Sequence, residues 1–143
     1  MSACGPPPPT TGSVRFRFTV SDSVRQNAAL KDPLVGTIYG DLFLAEDVSV
    51  FGPRDDAEAI DSIPPTMIDL RTEQISEAEV IRPFLAPATL IFLGFFDVDN
   101  NPGPEGNRRP EQGDPATLAR TNLFTITAGT ETKRLVAFEL VYN

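Results

Sequence analysis

The chain contains no histidine, no tryptophan and a single cysteine, Cys4. Without histidine, neither a Ser-His-Asp nor a Cys-His catalytic arrangement can be assembled, nor can a His-ligated zinc site. One cysteine excludes an intramolecular disulfide. Basic residues are also scarce: 12 Lys and Arg against 20 Asp and Glu give a formal charge of -8. That balance excludes the basic footprint with which nucleic-acid binders displace counterions, and it disfavours anionic membrane surfaces for the same reason. No run approaches the roughly 20 apolar residues of a membrane-spanning helix, and no internal repeat is visible. What remains is 143 residues with 41% hydrophobic content, enough for one well-buried core and too little for two comfortable domains.

The apolar residues are arranged mainly with period two. Val14, Phe16, Phe18 and Val20 alternate with polar residues, the pattern of a strand with one wet face. Leu34 to Ala45 is a second strand segment, with Ile38, Leu42 and Leu44 in phase and Gly36 and Gly40 marking bends or close backbone approach. Met67 to Arg71, Leu90 to Phe96, Asn122 to Thr127 and Arg134 to Tyr142 complete the set, with a turn at Ala128-Gly129-Thr130. Leu90 to Phe96 is apolar on both phases, which predicts a strand with neighbours on both sides and cover on both faces. Helical turns are expected at Asp55 to Ile60 and, from the capping-box spacing of Ser76 and Glu79, at Ser76 to Val80, ending before Pro83. The acidic stretch Glu46 to Asp61 reads first as a solvated loop and second as a source of metal-binding carboxylates. The fold expected is all-β: a single sandwich, Ig-like or transthyretin-like, of about seven strands with one or two short helical turns.

Chemistry concentrates where the apolar strand stops. Asp97, Asp99 and Asn101 follow it with D-x-D-x-N spacing, and Gly113-Asp114-Pro115 closes the loop. Calcium takes six to eight oxygen ligands, and alternate side chains of a curled segment converge on one point. This segment resembles the calcium loops at strand ends of bacterial surface β-sandwich repeats of the Cna-B and SdrD B-like kind. The resemblance implies a structural Ca2+ held by Asp97, Asp99, Asn101 and Asp114. It departs from the pattern at Pro102-Gly103 and in its 18-residue span from Asp97 to Asp114, and Arg108 stands at the twelfth position, which rules out an EF-hand. In the competing reading Asp97 caps a turn without an ion, and Arg108 and Arg109 pair with the carboxylates at the surface.

The N-terminus carries a second signal. Ser2-Ala3-Cys4 resembles the end of a bacterial lipobox, and Pro6-Pro7-Pro8-Pro9 favours a stiff polyproline II spacer. The expectation is a chain that starts near the processing site with its signal peptide removed and with Cys4 as the lipid attachment residue. The alternative is an incidental thiol in a polar tail. Gly5, in the position where an aspartate retains lipoproteins at the inner membrane, implies the outer membrane or cell surface of a Gram-negative bacterium. Residues 1–12 are thus a Pro-rich tether and 13–143 the sandwich domain.

The function expected is a non-enzymatic, lipid-anchored envelope or cell-surface protein, a structural or protein-interaction module with a calcium-stabilised loop. Its membrane contact would be the lipid anchor only, with another envelope protein or a second copy as partner and no nucleic acid. The alternative is a glycan- or small-ligand-binding module on the same scaffold. That reading needs exposed aromatic platforms, for which Tyr39, Phe43, Phe51, Phe95 and Tyr142 are the candidates. An enzyme ranks last: hydrolases on similar transthyretin-like sandwiches use histidines, and a glycosidase pair at Asp97 and Asp99 would have no evident cleft.

Overall fold

The computed structural model describes residues 7–30, 32–98 and 113–142. In chain order its strands are β1 (Gly12–Val20), β2 (Val35–Leu44), β3 (Val48–Ser49), β4 (Gly52–Pro53), β5 (Asp61–Ser62), β6 (Thr66–Asp69), β7 (Val80–Leu85), β8 (Ala88–Asp97), β9 (Pro115–Ala116), β10 (Leu123–Ile126), β11 (Glu131–Phe138) and β12 (Leu140–Val141). Seven of these have four or more residues; the other five are two-residue ladders. The expected Cys4 anchor and the loop residues Asp99 and Asn101 lie outside the described residues.

The fold is an all-β sandwich. The smaller sheet has the order β11-β1-β7, with β1 and β11 parallel, and the larger runs β12-β9-β8-β2-β5, with β10 also paired to β8 and β6 to β2. Alternation along β1 buries Val14, Phe16, Phe18 and Val20 on the inner face. There they meet Ile38 and Leu42 of β2, Leu90, Phe92 and Phe96 of β8, and Phe124 and Ile126 of β10. Phe16 is the pivot, with its ring edge-on to Phe92 at 5.2 Å and to Phe124 at 5.3 Å, the arrangement favoured by the ring quadrupoles. Gly40 and Gly94 face each other across β2 and β8. A Cβ at Gly40 would come within 2.2 Å of the Phe92 ring, so this pair of glycines makes room for the largest inward side chain.

Several local expectations are corrected. Asp55 to Ile60 forms a turn and extended chain instead of a helical turn, and the helical pieces lie at α1 (Asp22–Arg25), capped by Ser21, and at a 3-10 turn over Ala45–Asp47. Ser76 starts no helix. Its hydroxyl accepts the Phe18 N–H at 3.0 Å and donates to the Ala78 carbonyl, so the segment is drawn onto β1 as extended chain. Pro83 lies inside β7, an edge strand, where Pro83 and Phe84 together oppose Ser13 alone in a β-bulge. The missing proline N–H breaks no ladder there. Arg134 to Tyr142 is two strands in different sheets, because the chain steps across at Glu139, whose N–H donates to the Ala116 carbonyl at 3.0 Å.

The sheet edges are closed by side chains. The buried Asn122 amide accepts the Ala137 N–H and donates to the Ala137 carbonyl, at 3.0 and 3.1 Å, standing in for a neighbouring strand at the edge of β11. On the other side, Arg82 of β7 makes a bidentate pair with Asp61 of β5 at 2.8 and 2.9 Å, linking the two sheets. Asp61 is therefore a partly buried strand residue, not part of a solvated acidic loop.

Candidate functional site

On β8 the outward phase carries Ile91, Leu93, Phe95 and Asp97, and on β2 it carries Thr37, Tyr39, Asp41 and Phe43; direct pairing sets Tyr39 against Phe95, Asp41 against Leu93 and Thr37 against Asp97. The Tyr39 and Phe95 rings stack at 5.3 Å with planes 22° apart. Ala116 of β9 pairs with Phe95 on one side and with Leu140 of β12 on the other. The outer face of the larger sheet is thus apolar across four adjacent strands, with Ile91 and Phe95 buried and Tyr39, Phe43 and Leu93 partly exposed. The double-phase hydrophobicity of Leu90 to Phe96 correctly implied neighbours on both sides and cover on both phases, since Ile91 and Phe95 of the outward phase are buried; Leu93 to Phe95 also floors a groove.

The groove has a volume of about 500 Å³ and is walled by the tip of the β3-β4 hairpin, Val50 and Phe51, and by the 116–119 segment and Tyr142. Phe51 is 96% exposed, which no packing requirement of this chain explains. The hairpin is nonetheless held. Ser49 Oγ accepts the Phe51 N–H at 3.1 Å, Gly52 takes the positive φ that the turn needs, and Arg120 Nη1 donates to the carbonyls of Ala45 and Val48 at its base. All five aromatics singled out in the sequence, Tyr39, Phe43, Phe51, Phe95 and Tyr142, line this groove. Its one carboxylate among the described residues, Asp41, accepts from Ser62 Oγ at 2.5 Å, and Thr117 Oγ1 is tied to the Gly94 backbone. That arrangement offers shape and apolar area, and the described residues bring no acid–base pair to it.

The rims of the expected calcium loop lie on this same face. Asp97 ends β8 two residues after Phe95, and Asp114 precedes β9 two residues before Ala116. Both are buried. The Val98 N–H reaches Asp114 Oδ1 at 3.4 Å, and the Asp114 carbonyl accepts the Tyr142 N–H at 2.9 Å. The structure therefore brings the two ends of the loop together beside the groove. Among the described residues, no group of three or more His, Cys, Asp or Glu side chains is gathered to hold a metal ion; Asp99 and Asn101 fall outside that set.

The opposite outer face, on the smaller sheet, is charged. Arg15 pairs with both Glu131, at 2.5 Å, and Glu79, and Arg17 pairs with Glu79 at 2.8 Å. Hydrogen bonds from Arg15 hold both carboxyls below their ordinary range, and those to Glu131 and Glu79 raise Arg15 in turn. This surface satisfies itself in water.

No protein-family model matches the chain, and no curated protein does. Among solved structures, it is similar to the minor pilin GBS52 of Streptococcus agalactiae at 12% identity and a TM-score of 0.40, covering 95% of this chain. The chain spans 47% of that pilin. A likeness at that level carries no argument about function, which rests on the two faces and the loop rims.

Proposed function

We propose that this chain is a non-enzymatic interaction module of the bacterial surface, which presents the outer face of its larger sheet to a partner. It would be tethered by a lipid on Cys4 to the outer membrane or cell surface of a Gram-negative envelope. The observation that carries the reading is the aromatic groove: an apolar surface over four strands, with a nearly fully exposed phenylalanine held at its rim, is costly to leave in water unless it meets a partner. A structural Ca2+ held by Asp97, Asp99, Asn101 and Asp114 would fix the loop at one end of this face. Oxygen-ligand spacing and the adjacency of the two rim carboxylates support that part.

Thermal melts in EDTA and across a calcium titration, with wild type and an Asp97→Ala, Asp99→Ala variant, test the loop. Ion bound only by the native state stabilises it by about 2.7 kcal/mol at a hundredfold excess over Kd. The expected result is a calcium-dependent rise in Tm that the variant loses; indifference to calcium in both proteins would remove the metal from the account. A second reading, binding of a neutral glycan, is favoured by the stacked Tyr39 and Phe95 rings. It is weakened by the scarcity of free hydrogen-bonding side chains in the groove, where Asp41 and Thr117 are already engaged.

A further inference from the structure

The groove's chemistry narrows its occupant. Its lining is mainly aromatic and aliphatic, and among the described residues the two phenol groups of Tyr39 and Tyr142 are its only side-chain hydroxyls apart from the engaged Thr117. Flat rings separated by shallow furrows, with a few O–H donors, suit a polyproline II segment. Such a helix has three residues per turn, leaves its carbonyls without internal partners and loses little entropy on docking. Saccharides demand more directional polar contacts than this groove provides.

The chain itself carries such a segment. Gly5 to Gly12, reading GPPPPTTG, has no charged residue, in a protein of formal charge -8. The described lining of the groove carries one carboxylate, Asp41, and no cation, so an acidic surface of a second copy would meet like charge there, which costs free energy at short range; this segment would not. Pro7, Pro8, Pro9 and Thr10 are exposed and outside any regular element. They leave the sandwich beside the Gly129 turn, where the Gly129 N–H donates to the Thr11 carbonyl. That is the Ala88 end of β8, whereas the groove opens over Leu93 to Phe95 toward the Asp97 end.

We infer that the groove of one copy receives the proline segment, Pro6 to Pro9, of a second copy, giving a head-to-tail contact. The inference rests on the groove being the binding face, and it is independent of the lipid and the metal. A contact between two different patches leaves a free groove at one end and a free tail at the other, so association is open-ended instead of stopping at a dimer.

The test is sedimentation velocity of the full chain over a concentration series, with Phe51→Glu to spoil the groove and a Pro7→Ser, Pro8→Ser variant to spoil the tail. Both changes fall on exposed residues, and circular dichroism confirms that each variant folds. Wild type should form oligomers that grow with concentration, and each variant should associate about thirtyfold more weakly, the effect of losing one hot-spot side chain. Mixing the two variants should restore a one-to-one heterodimer that grows no further, since only one groove and one tail remain competent. A synthetic GPPPPTTG peptide should bind wild type and compete with self-association. Association that neither variant alters, or a wild-type chain that stays monomeric and ignores the peptide, overturns the inference. If the peptide fails while a neutral oligosaccharide or another proline-rich peptide binds in a Phe51-dependent way, the groove remains the binding face and only its occupant is wrong.

Discussion

On the outer face of the smaller sheet, alternation exposes Arg15 and Arg17, which find Glu79 and Glu131; on the outer face of the larger sheet, the same alternation leaves Tyr39, Phe43 and Leu93 half-exposed around the buried Phe95. Both faces sit back to back on one phenylalanine-rich core. The first face is largely satisfied as it stands, because both its carboxylates, Glu79 and Glu131, are held in ion pairs by Arg15 and Arg17, with Lys133 left to solvent. The second is incomplete, since the aromatic area it shows gains nothing from water. Under the proposed reading, fold stability and binding therefore separate by side-chain phase along the same strands.

The largest effect is expected from inside the core. Phe92 lies behind the groove and touches Phe16 and Phe18 of the opposite sheet, so Phe92→Ala should cost about 3–5 kcal/mol in chemical denaturation and loosen both faces together. Asn122→Ala should cost about 1–3 kcal/mol by stranding the Ala137 N–H and carbonyl, and hydrogen exchange at the edge of β11 should rise while the groove strands stay protected.

Acid should act at the ion pairs and spare the groove. Hydrogen bonds from Arg82 hold Asp61 below its ordinary 3.8, and those from Arg71 hold Asp69 at about 2. A depressed carboxyl contributes stability that is complete above its unfolded value and lost as pH falls through the folded one. Stability from these pairs should thus be flat from about pH 5 to 8 and fall below it. Arg82→Ala should lower the plateau and flatten the acid limb of the stability curve. The smallest effect on stability is expected at the groove rim: Phe51→Ser should change stability by no more than about 0.5 kcal/mol while removing whatever binding the groove supports.

Much of this architecture was legible in the order of the residues. Strict alternation located β1, the apolar run located β8, and Gly129 located the turn before β11. Where local pattern misled, a distant partner decided. Ser76 has a capping-box neighbour at Glu79, yet its hydroxyl serves Phe18, 58 residues away. The step at Glu139 leaves no mark in the sequence, because the carbonyl that takes its N–H belongs to Ala116. Pro83 is tolerated in a strand only because β7 lies at an edge and bulges there.

The site was half legible. Asp97 and Asp114 were identifiable as loop rims from composition, and the structure does bring them to one face. The five aromatics were recognisable as candidates, but most of them read equally well as core, since period two gives the phase of a residue and not which phase faces the other sheet. A usable signal was present in Leu90 to Phe96: a strand apolar on both phases in a two-layer protein must either be covered by a third layer or display its outer phase. In this chain Ile91 is covered, and the Leu93 to Phe95 part of the outer phase floors the groove.

The central claim is that the larger sheet's outer face, and not the charged one, is the working surface. It is tested most directly by following backbone amide resonances of the isotope-labelled chain over a dilution series and then a titration with the GPPPPTTG peptide. Concentration- and peptide-dependent shifts should cluster at Tyr39 to Phe43, Leu93 to Phe95, Thr117 to Ala119 and Tyr142, while Arg15, Arg17, Lys133 and Leu135 stay fixed. Shifts confined to β1 and β11, with the groove amides unmoved, would contradict the account and assign the work to the charged face.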